Sequence, residues 1–308
     1  MAPEFLADLW ATYQSLVYFL GINAILALSV YVTLAGGQLS MAQAAFMGIG
    51  AYAAALLTLN LQAPFPVALA AGAVLPALIA LPLGFPALRL HGVFLAIATI
   101  GFGEVVRILV LNLPITGGAL GLNAIPNKTR LWHILLVLAV AVFCFWRLRG
   151  SRAGYAVEAI REDETAARAL GINVAAYKVW AFVAGAVLAG TAGGLSAHFT
   201  FFIGPNEFGF DRAVTILLYA IVGGVTAFWG PLAGAALLSL LPEILRGLGV
   251  QAGAVRLFVN GAILVAVILF APNGLVGLAR RLQRRAAPLG PGHQAARAPS
   301  VSAARKVV

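Results

Sequence analysis

The chain has 308 residues and a formal net charge of +10, with 10% charged and 62% hydrophobic residues. Soluble domains carry about 25% charged residues, and none of this length hides so much apolar surface. These values exclude a water-soluble protein and make the chain an integral membrane protein. The basic excess is gathered beside the apolar runs, which the positive-inside rule explains better than nucleic-acid binding.

The apolar runs are long and continuous, as in membrane helices, whereas barrel strands alternate polar and apolar residues over about ten positions. A span needs about 20 mostly apolar residues. The sequence predicts an all-α polytopic protein with about nine spans (8–10), some of them discontinuous. They fall at 14–34, 41–59, 66–88, 92–111, 131–147, 174–197, 212–229, 231–248 and 255–272.

Residues 1–13 form a short segment before the first span, with Glu4 and Asp8 as its charges and no positive n-region. This fits an extracytoplasmic start and argues against a cleaved signal peptide. Gly36-Gly37 follows the first span and leads into Gln38-Leu-Ser-Met-Ala-Gln43, then a small-residue run with Gly48, Gly50 and Ala51. The fourth span carries Glu104 and Arg107, whose spacing places them on one helix face. Each charge costs about 2.5–3.5 kcal/mol at mid-bilayer on insertion scales. Two readings stand: Arg107 snorkels to the outer interface with Glu104 neutralising it, or the pair lines a polar path or a subunit contact. The one cysteine, Cys144 in the fifth span, excludes an intrachain disulfide and reads as a small buried hydrophobe.

Between Arg147 and Lys178 stands a dense polar island. It holds six basic residues (Arg147, Arg149, Arg152, Arg161, Arg168, Lys178) and four acids (Glu158, Glu162, Asp163, Glu164). On a helical wheel Glu158, Arg161, Glu162, Thr165 and Arg168 share one face. Ala156, Ala159, Ile160, Ala166, Ala167 and Leu170 take the other, with Asp163 among them. Glu164–Arg168 is a favourable i,i+4 pair, and Gly171 is placed to cap the helix end. An interfacial lipid-binding helix carries a strongly basic face opposite large apolar residues. This mixed-charge, alanine-rich helix suits a protein groove instead.

In the sixth span Ala181, Gly185, Ala189, Gly193 and Ala197 recur every four residues. Such a stripe serves either packing within the chain or a subunit interface. Gly223-Gly224 falls in the seventh span, followed by Trp229-Gly-Pro231. Glycine pairs and proline weaken helix continuity, so breaks are expected at Gly36, Gly37, Gly223, Gly224 and Pro231. Interrupted spans of this kind surround translocation paths. The few polar residues within spans, Asn23, Gln38, Gln43, Glu104, Arg107 and Asn260, are the candidate path residues.

The island and the arginine-rich tail from Arg280 onward are both expected in the cytoplasm. Four predicted spans separate them and five precede the island, which puts the N-terminus outside. The expected organisation is a permease domain over 14–285, interrupted by the loop 147–178, and a disordered cytoplasmic tail over 286–308. His91, His133, His198 and His293 show no metal-ligand spacing, no nucleophile is paired with a base, and no phosphate loop occurs. No catalytic residue, metal or cofactor is expected.

Glu164-Thr-Ala166-Ala167-Arg-Ala-Leu-Gly171 resembles the cytoplasmic coupling motif of ABC-importer permeases, with one residue inserted between Glu and the alanine pair. The wider chain is similar to the LIV branched-chain amino-acid permeases, in their LivM-like branch. The resembling stretches are Ala35-Gly-Gly-Gln-Leu-Ser-Met-Ala-Gln-Ala-Ala-Phe-Met-Gly-Ile-Gly-Ala-Tyr52, Gly92-Val-Phe through Glu104-Val-Val-Arg107, and Thr116-Gly-Gly118. Further on come Ala159-Ile-Arg-Glu-Asp-Glu164, Ala169-Leu-Gly-Ile-Asn173, Trp229-Gly-Pro231 and Pro272-Asn-Gly-Leu275.

The resemblance implies a transport subunit in the bacterial cytoplasmic (inner) membrane. It would form half of a pore beside a second LIV-type permease, bind two cytoplasmic ABC ATPases and receive cargo from an extracytoplasmic binding protein. ATP hydrolysis would reside in the partners. It implies that Arg161, Glu162, Asp163, Glu164, Ala166, Ala167 and Gly171 form the ATPase-coupling segment, and that the cargo is leucine, isoleucine or valine. Gln43 stands where the family often has His, Ala119-Leu120 follow Thr-Gly-Gly where polar residues are common, and Thr226-Ala227 replace a frequent Gly-Ser. Those departures leave urea or short amides as an alternative cargo. A rival of another class is an autonomous ion-coupled transporter or channel that uses Glu104 and Arg107 as its ion site.

Overall fold

The computed structural model describes residues 2–87 and 89–247, together with Gly261, Val265, Gly274 and Gly277. Over residues 2–247 the helices are α1 (Ala2–Ala35), α2 (Gln43–Asn60), α3 (Phe65–Ala87), α4 (Val93–Asn112), α5 (Leu131–Arg149), α6 (Arg152–Glu162), α7 (Glu164–Ala169), α8 (Val174–Thr200), α9 (Phe210–Gly223) and α10 (Trp229–Gly247). Short 3-10 turns lie at Pro114–Thr116, Gly118–Leu120 and Pro205–Phe208. A single bridge, Leu122 to Ile203, ties the α4–α5 connection to the chain after α8.

Among the described residues six helical stretches are long and apolar enough to cross a membrane: Tyr13–Ala35, Gln43–Asn60, Phe65–Ala87, Val93–Asn112, Leu131–Arg149 and Val174–Thr200. They coincide with the first six predicted spans to within a few residues. The predicted seventh span, 212–229, does not form as one helix. α9 is 14 residues long and stops at Gly223, a length of about 21 Å against a hydrocarbon core of about 30 Å. Gly224 then takes φ 92, a conformation that costs a side-chain-bearing residue dearly. The chain turns, and α10 starts at Trp229. Pro231 sits in the first turn of α10, where no intrahelical N–H is needed. It therefore begins a helix and does not break one. The ninth predicted span (255–272), Asn260 and the tail from 286 lie outside the described residues.

α8 is the hub of the bundle, with Phe182, Ala186, Ala189, Ala192 and Leu195 all buried. It runs antiparallel to α1, with Gly36 beside Ala181 and Gly185 beside Ser29. It is parallel to α2, where Gly50 meets Gly190 and Thr58 Oγ1 hydrogen-bonds His198 Nε2 at 2.9 Å. It is antiparallel to α3, where Gly72 faces Gly190 and Gly84 faces Val179. The small-residue stripe is thus spent within the chain: Gly185 takes α1, and Gly193 takes Met47 and Ala51 of α2. Close approach of backbones replaces the hydrophobic drive that lipid cannot supply.

α5 is peripheral and buries only Ile134 and Ala141. Cys144 is accordingly exposed on its outer surface, contrary to the buried position expected for it. A residue facing lipid and a residue facing protein are equally apolar, so an apolar run does not mark its buried side.

Candidate functional site

The polar island folds as two helices joined at Asp163. Ser151 caps α6, its side chain accepting from Gly154 N. At Asp163 the backbone becomes extended, and its carboxylate accepts from Thr165 N at 2.8 Å and Ala166 N at 3.0 Å. The aspartate ends α6 and starts α7. Gly171, at φ 81, closes α7. Its N–H bonds the Arg168 carbonyl and the next N–H bonds the Ala167 carbonyl, the paired ending of a Schellman motif. Asn173 then caps α8 by accepting from Ala176 N at 3.1 Å.

Ile160, Ala167 and Val174 bury together and hold α6 and α7 on the start of α8. Because the chain turns at Asp163, Ala166 and Leu170 do not share the buried side with Ile160. Both are exposed. Tyr155 at 65% and Leu170 at 79% are exposed, as are the charged Glu158, Glu162 and Arg168.

Glu164 is the electrostatic centre of the island. It pairs with Arg168 on its own helix and accepts from Lys178 Nζ of α8 at 2.6 Å. His91 Nε2, from the α3–α4 connection, lies 3.9 Å away. Burial pushes the Glu164 carboxyl up, but the hydrogen bond and charge of Lys178, with Arg168 and His91, outweigh it and hold the group below its usual range.

α6 also reaches both glycine pairs. Arg161 Nη1 donates to the Val225 carbonyl at 3.3 Å, in the turn that follows Gly223-Gly224. Gly37, at φ 73, lies against the Arg161 backbone where α1 gives way to α2. Gly274 packs on Gly223 and Gly224. The joint between α1 and α2 is set inside the bundle. Gly36 stands beside Ala181, about 10 Å along α8 from its start at 1.5 Å per residue.

The remaining polar candidates fall in three separate places. Gln38 and Gln43 are 2% and 1% exposed in and just after that joint. Gln43 Nε2 donates to Thr33 Oγ1 at 3.2 Å, while both amide atoms of Gln38 and the Gln43 oxygen have no partner among the described residues. A buried polar atom without a partner costs about 1–3 kcal/mol. Asn23 bridges α1, α9 and α10, donating to Ser239 Oγ at 3.0 Å and accepting from Arg212 Nη2 at 3.1 Å. It borders a cavity of about 540 Å3. Glu104 and Arg107 pair at 2.7 Å, and Arg107 Nη1 also donates to Asn206 Oδ1 at 3.1 Å. The cavity beside Asn23 shares no lining residue with the small one beside Glu104.

Sequence reading did not single out Lys178, Val225, Arg212, Asn206 or Ser239 as partners. An acceptor carbonyl such as that of Val225 has no sequence signature. Lys178 carries one weak signal: a cation one turn inside an apolar helix requires a counter-charge.

Residues 12–268 match the family model described as branched-chain amino acid transport system / permease component. The chain belongs to this permease family. High-affinity branched-chain amino acid transport system permease proteins LivM of Salmonella typhimurium and Escherichia coli are each 32% identical to it over 296 residues. The match covers 85% of this chain and 67% of each relative. No solved structure matches significantly. As a member of a transport permease family, with six helices among the described residues long and apolar enough to cross a membrane, the chain is a multi-pass membrane transport component.

Proposed function

We propose that the chain is the transmembrane permease subunit of an ABC importer for branched-chain amino acids, with the island as the docking site for cytoplasmic ATPases. The permease domain spans 14–285, the loop 147–178 and the tail from 286 face the cytoplasm, and the N-terminus faces outward. A second LIV-type permease completes the pore and an extracytoplasmic binding protein delivers the cargo. The observation that carries this reading is Arg161, which is anchored in α6 and bonded to the turn after Gly224. A push on α6 is felt where two helices end.

The outer face supports docking. Tyr155 and Leu170 are exposed, as are the charged Glu158, Glu162 and Arg168, so the island offers both apolar and charged groups of the kinds interfaces use. Arg161, Glu162, Asp163, Glu164, Ala166, Ala167 and Gly171 form the coupling segment. Asp163, Glu164 and Gly171 shape it from within. The Gln38 amide and the Gln43 amide oxygen, unpartnered among the described residues, are groups that a passing polar cargo would satisfy, which also keeps urea or short amides in view as cargo. Glu104 and Arg107 are satisfied by each other and by Asn206, which favours a structural pair over the ion site of an autonomous transporter.

The test uses the assembled complex, reconstituted in vesicles with its ATPases and binding protein. Leu170→Asp is expected to abolish ATPase co-purification. Arg161→Ala is expected to keep the ATPases bound but lower transport per ATP hydrolysed. Full transport by both variants would overturn the docking role. Ion-gradient-driven uptake by this chain alone would install the autonomous transporter in its place.

A further inference from the structure

α4 carries its charged pair at membrane depth. The helix starts at the island end, where His91 approaches Glu164, and runs 20 residues from Val93 to Asn112. At about 1.5 Å per residue, Glu104 and Arg107 lie about 2 and about 7 Å past its midpoint, inside a hydrocarbon core about 30 Å thick. Their side chains are nonetheless 35% and 29% exposed. Arg107 does not reach for the far surface, since its Nε donates to Glu104, one turn back toward the middle. Snorkelling is therefore not how this charge is accommodated.

The chain between α8 and α9 comes to the same depth. Phe208 packs on Gly48 and meets the Tyr52 ring at 6.0 Å, both near the middle of α2. Gly209 lies against the Glu104 and Arg107 side chains, and Arg107 Nη1 donates to Asn206 Oδ1. The stretch is irregular, with a 3-10 turn at Pro205–Phe208 and extended backbone at Gly209. Pro205 and Phe208 are buried, while Asn206 and Glu207 are exposed. Non-helical backbone at membrane depth occurs only inside protein or beside a water-filled cavity. Ionisable groups there likewise face a bundle interior or water.

This chain does not enclose the volume that those groups need. The crevice beside Glu104, between α2, α4 and the start of α9, holds about 10 Å3, room for about one water. The open side is then either wet or covered by protein. Interface cores are depleted of glutamate, whereas Glu104 and Glu207 both remain open here, which favours water. We infer that Glu104, Arg107 and Asn206 form one wall of a water-filled path for small polar cargo, closed by a second subunit. The inference rests on the proposed half-pore reading. The ion pair holds the 205–209 segment in place, so its role is to position the wall. Gly101, one turn before Glu104 on the same face, has nothing within 4 Å of an added Cβ and continues the wall toward the island end.

The assembled complex, with Cys144→Ser as background, is placed in lipid nanodiscs and treated with a charged thiosulfonate, which reacts with hydrated thiolate. The control is Val140→Cys, exposed at the midpoint of α5. Asn206→Cys and Gly101→Cys are expected to react about tenfold faster than the control, the margin given by about one unit of thiol pKa between water and hydrocarbon. Leucine or urea, added with the binding protein, is expected to slow both reactions. A monodisperse elution profile for each variant controls for folding. The same complex in vesicles reports ATP-driven uptake; its absence would count against the importer reading and leave the reactivity ranking to decide the wall. Control-like rates in both the complex and the isolated chain would mean that lipid covers this face, and would overturn the path. Slow reaction in the complex with fast reaction in the isolated chain would overturn it in favour of a subunit contact. Fast reaction at Asn206→Cys but not at Gly101→Cys, or protection by neither cargo, would leave a wet pocket and overturn it as a path.

Discussion

Lys178 Nζ donates to Glu164 Oε2 at 2.6 Å, with the lysine side chain 6% and the glutamate 24% exposed. The pair joins the short helix α7 to the second turn of α8, the helix around which the bundle is packed. A buried ammonium tolerates burial only with its counter-ion in place. Glu164→Ala is therefore expected to cost about 1–3 kcal/mol, because it strands Lys178. Lys178→Met is expected to cost less, since the carboxylate keeps Arg168 and partial solvent. The double variant should be more stable than the sum of the two single losses implies. Thermal unfolding in detergent reads this coupling, and strictly additive losses would show that the pair does not hold α7 to α8.

The same carboxyl sets a pH dependence. Glu164 titrates below the ordinary value of 4.5: burial raises it, but Lys178, Arg168 and His91 together outweigh burial. A carboxyl with a lower pKa folded than unfolded stabilises the fold above its unfolded value and loses that contribution as pH falls through the folded one. Stability from this group should thus be flat at neutral pH and decline once acidification passes about 4.5. Glu164→Gln should lack that component of the acid slope. Superimposable acid limbs for the two chains would refute the assignment.

Gly171 makes a prediction about backbone alone. It holds φ 81, and a Cβ placed there would meet nothing within 4 Å. Gly171→Ala should therefore lose about 1 kcal/mol through conformation, with no clash. Gly171→Asn should lose less, because asparagine visits the left-handed region readily. If alanine and asparagine cost the same in unfolding measurements, the left-handed cap is not what glycine supplies.

The first six spans were legible because lipid demands length and apolarity, and both are visible in one dimension. Glu164–Arg168 and the Gly171 cap were legible for the same kind of reason, since each depends on a spacing within one helix. What could not be read was which side of an apolar helix is buried. Cys144 faces outward on α5, while Ala189, in an equally apolar run, is wholly buried. The wheel also placed Asp163 awkwardly among alanines. The structure resolves this by making it a cap, whereupon Leu170 turns outward. The Arg161–Val225 contact joins residues 64 positions apart through a carbonyl, and no residue type announces a carbonyl.

The helix crossings at α8 yield the sharpest contrast. A Cβ at Gly193 would overlap the Met47 carbonyl oxygen, and one at Gly50 would overlap the Gly190 backbone. Neither neighbour is the flexible end of a side chain, so relief requires α2 and α8 to move apart. Separation opens the contact along its length, and lipid offers no hydrophobic penalty to close it again. Gly193→Ala and Gly50→Ala should each cost about 1–3 kcal/mol or more, as overpacking does elsewhere. Gly101, in α4, has nothing within 4 Å of its added Cβ and a negative φ. Gly101→Ala should then be neutral or gain up to about 1 kcal/mol from helix propensity. Unfolding temperature and yield of monodisperse protein separate the three variants. Equal behaviour of Gly193→Ala and Gly101→Ala would mean that α2 and α8 are not held by backbone approach, and the small-residue stripe would need another partner.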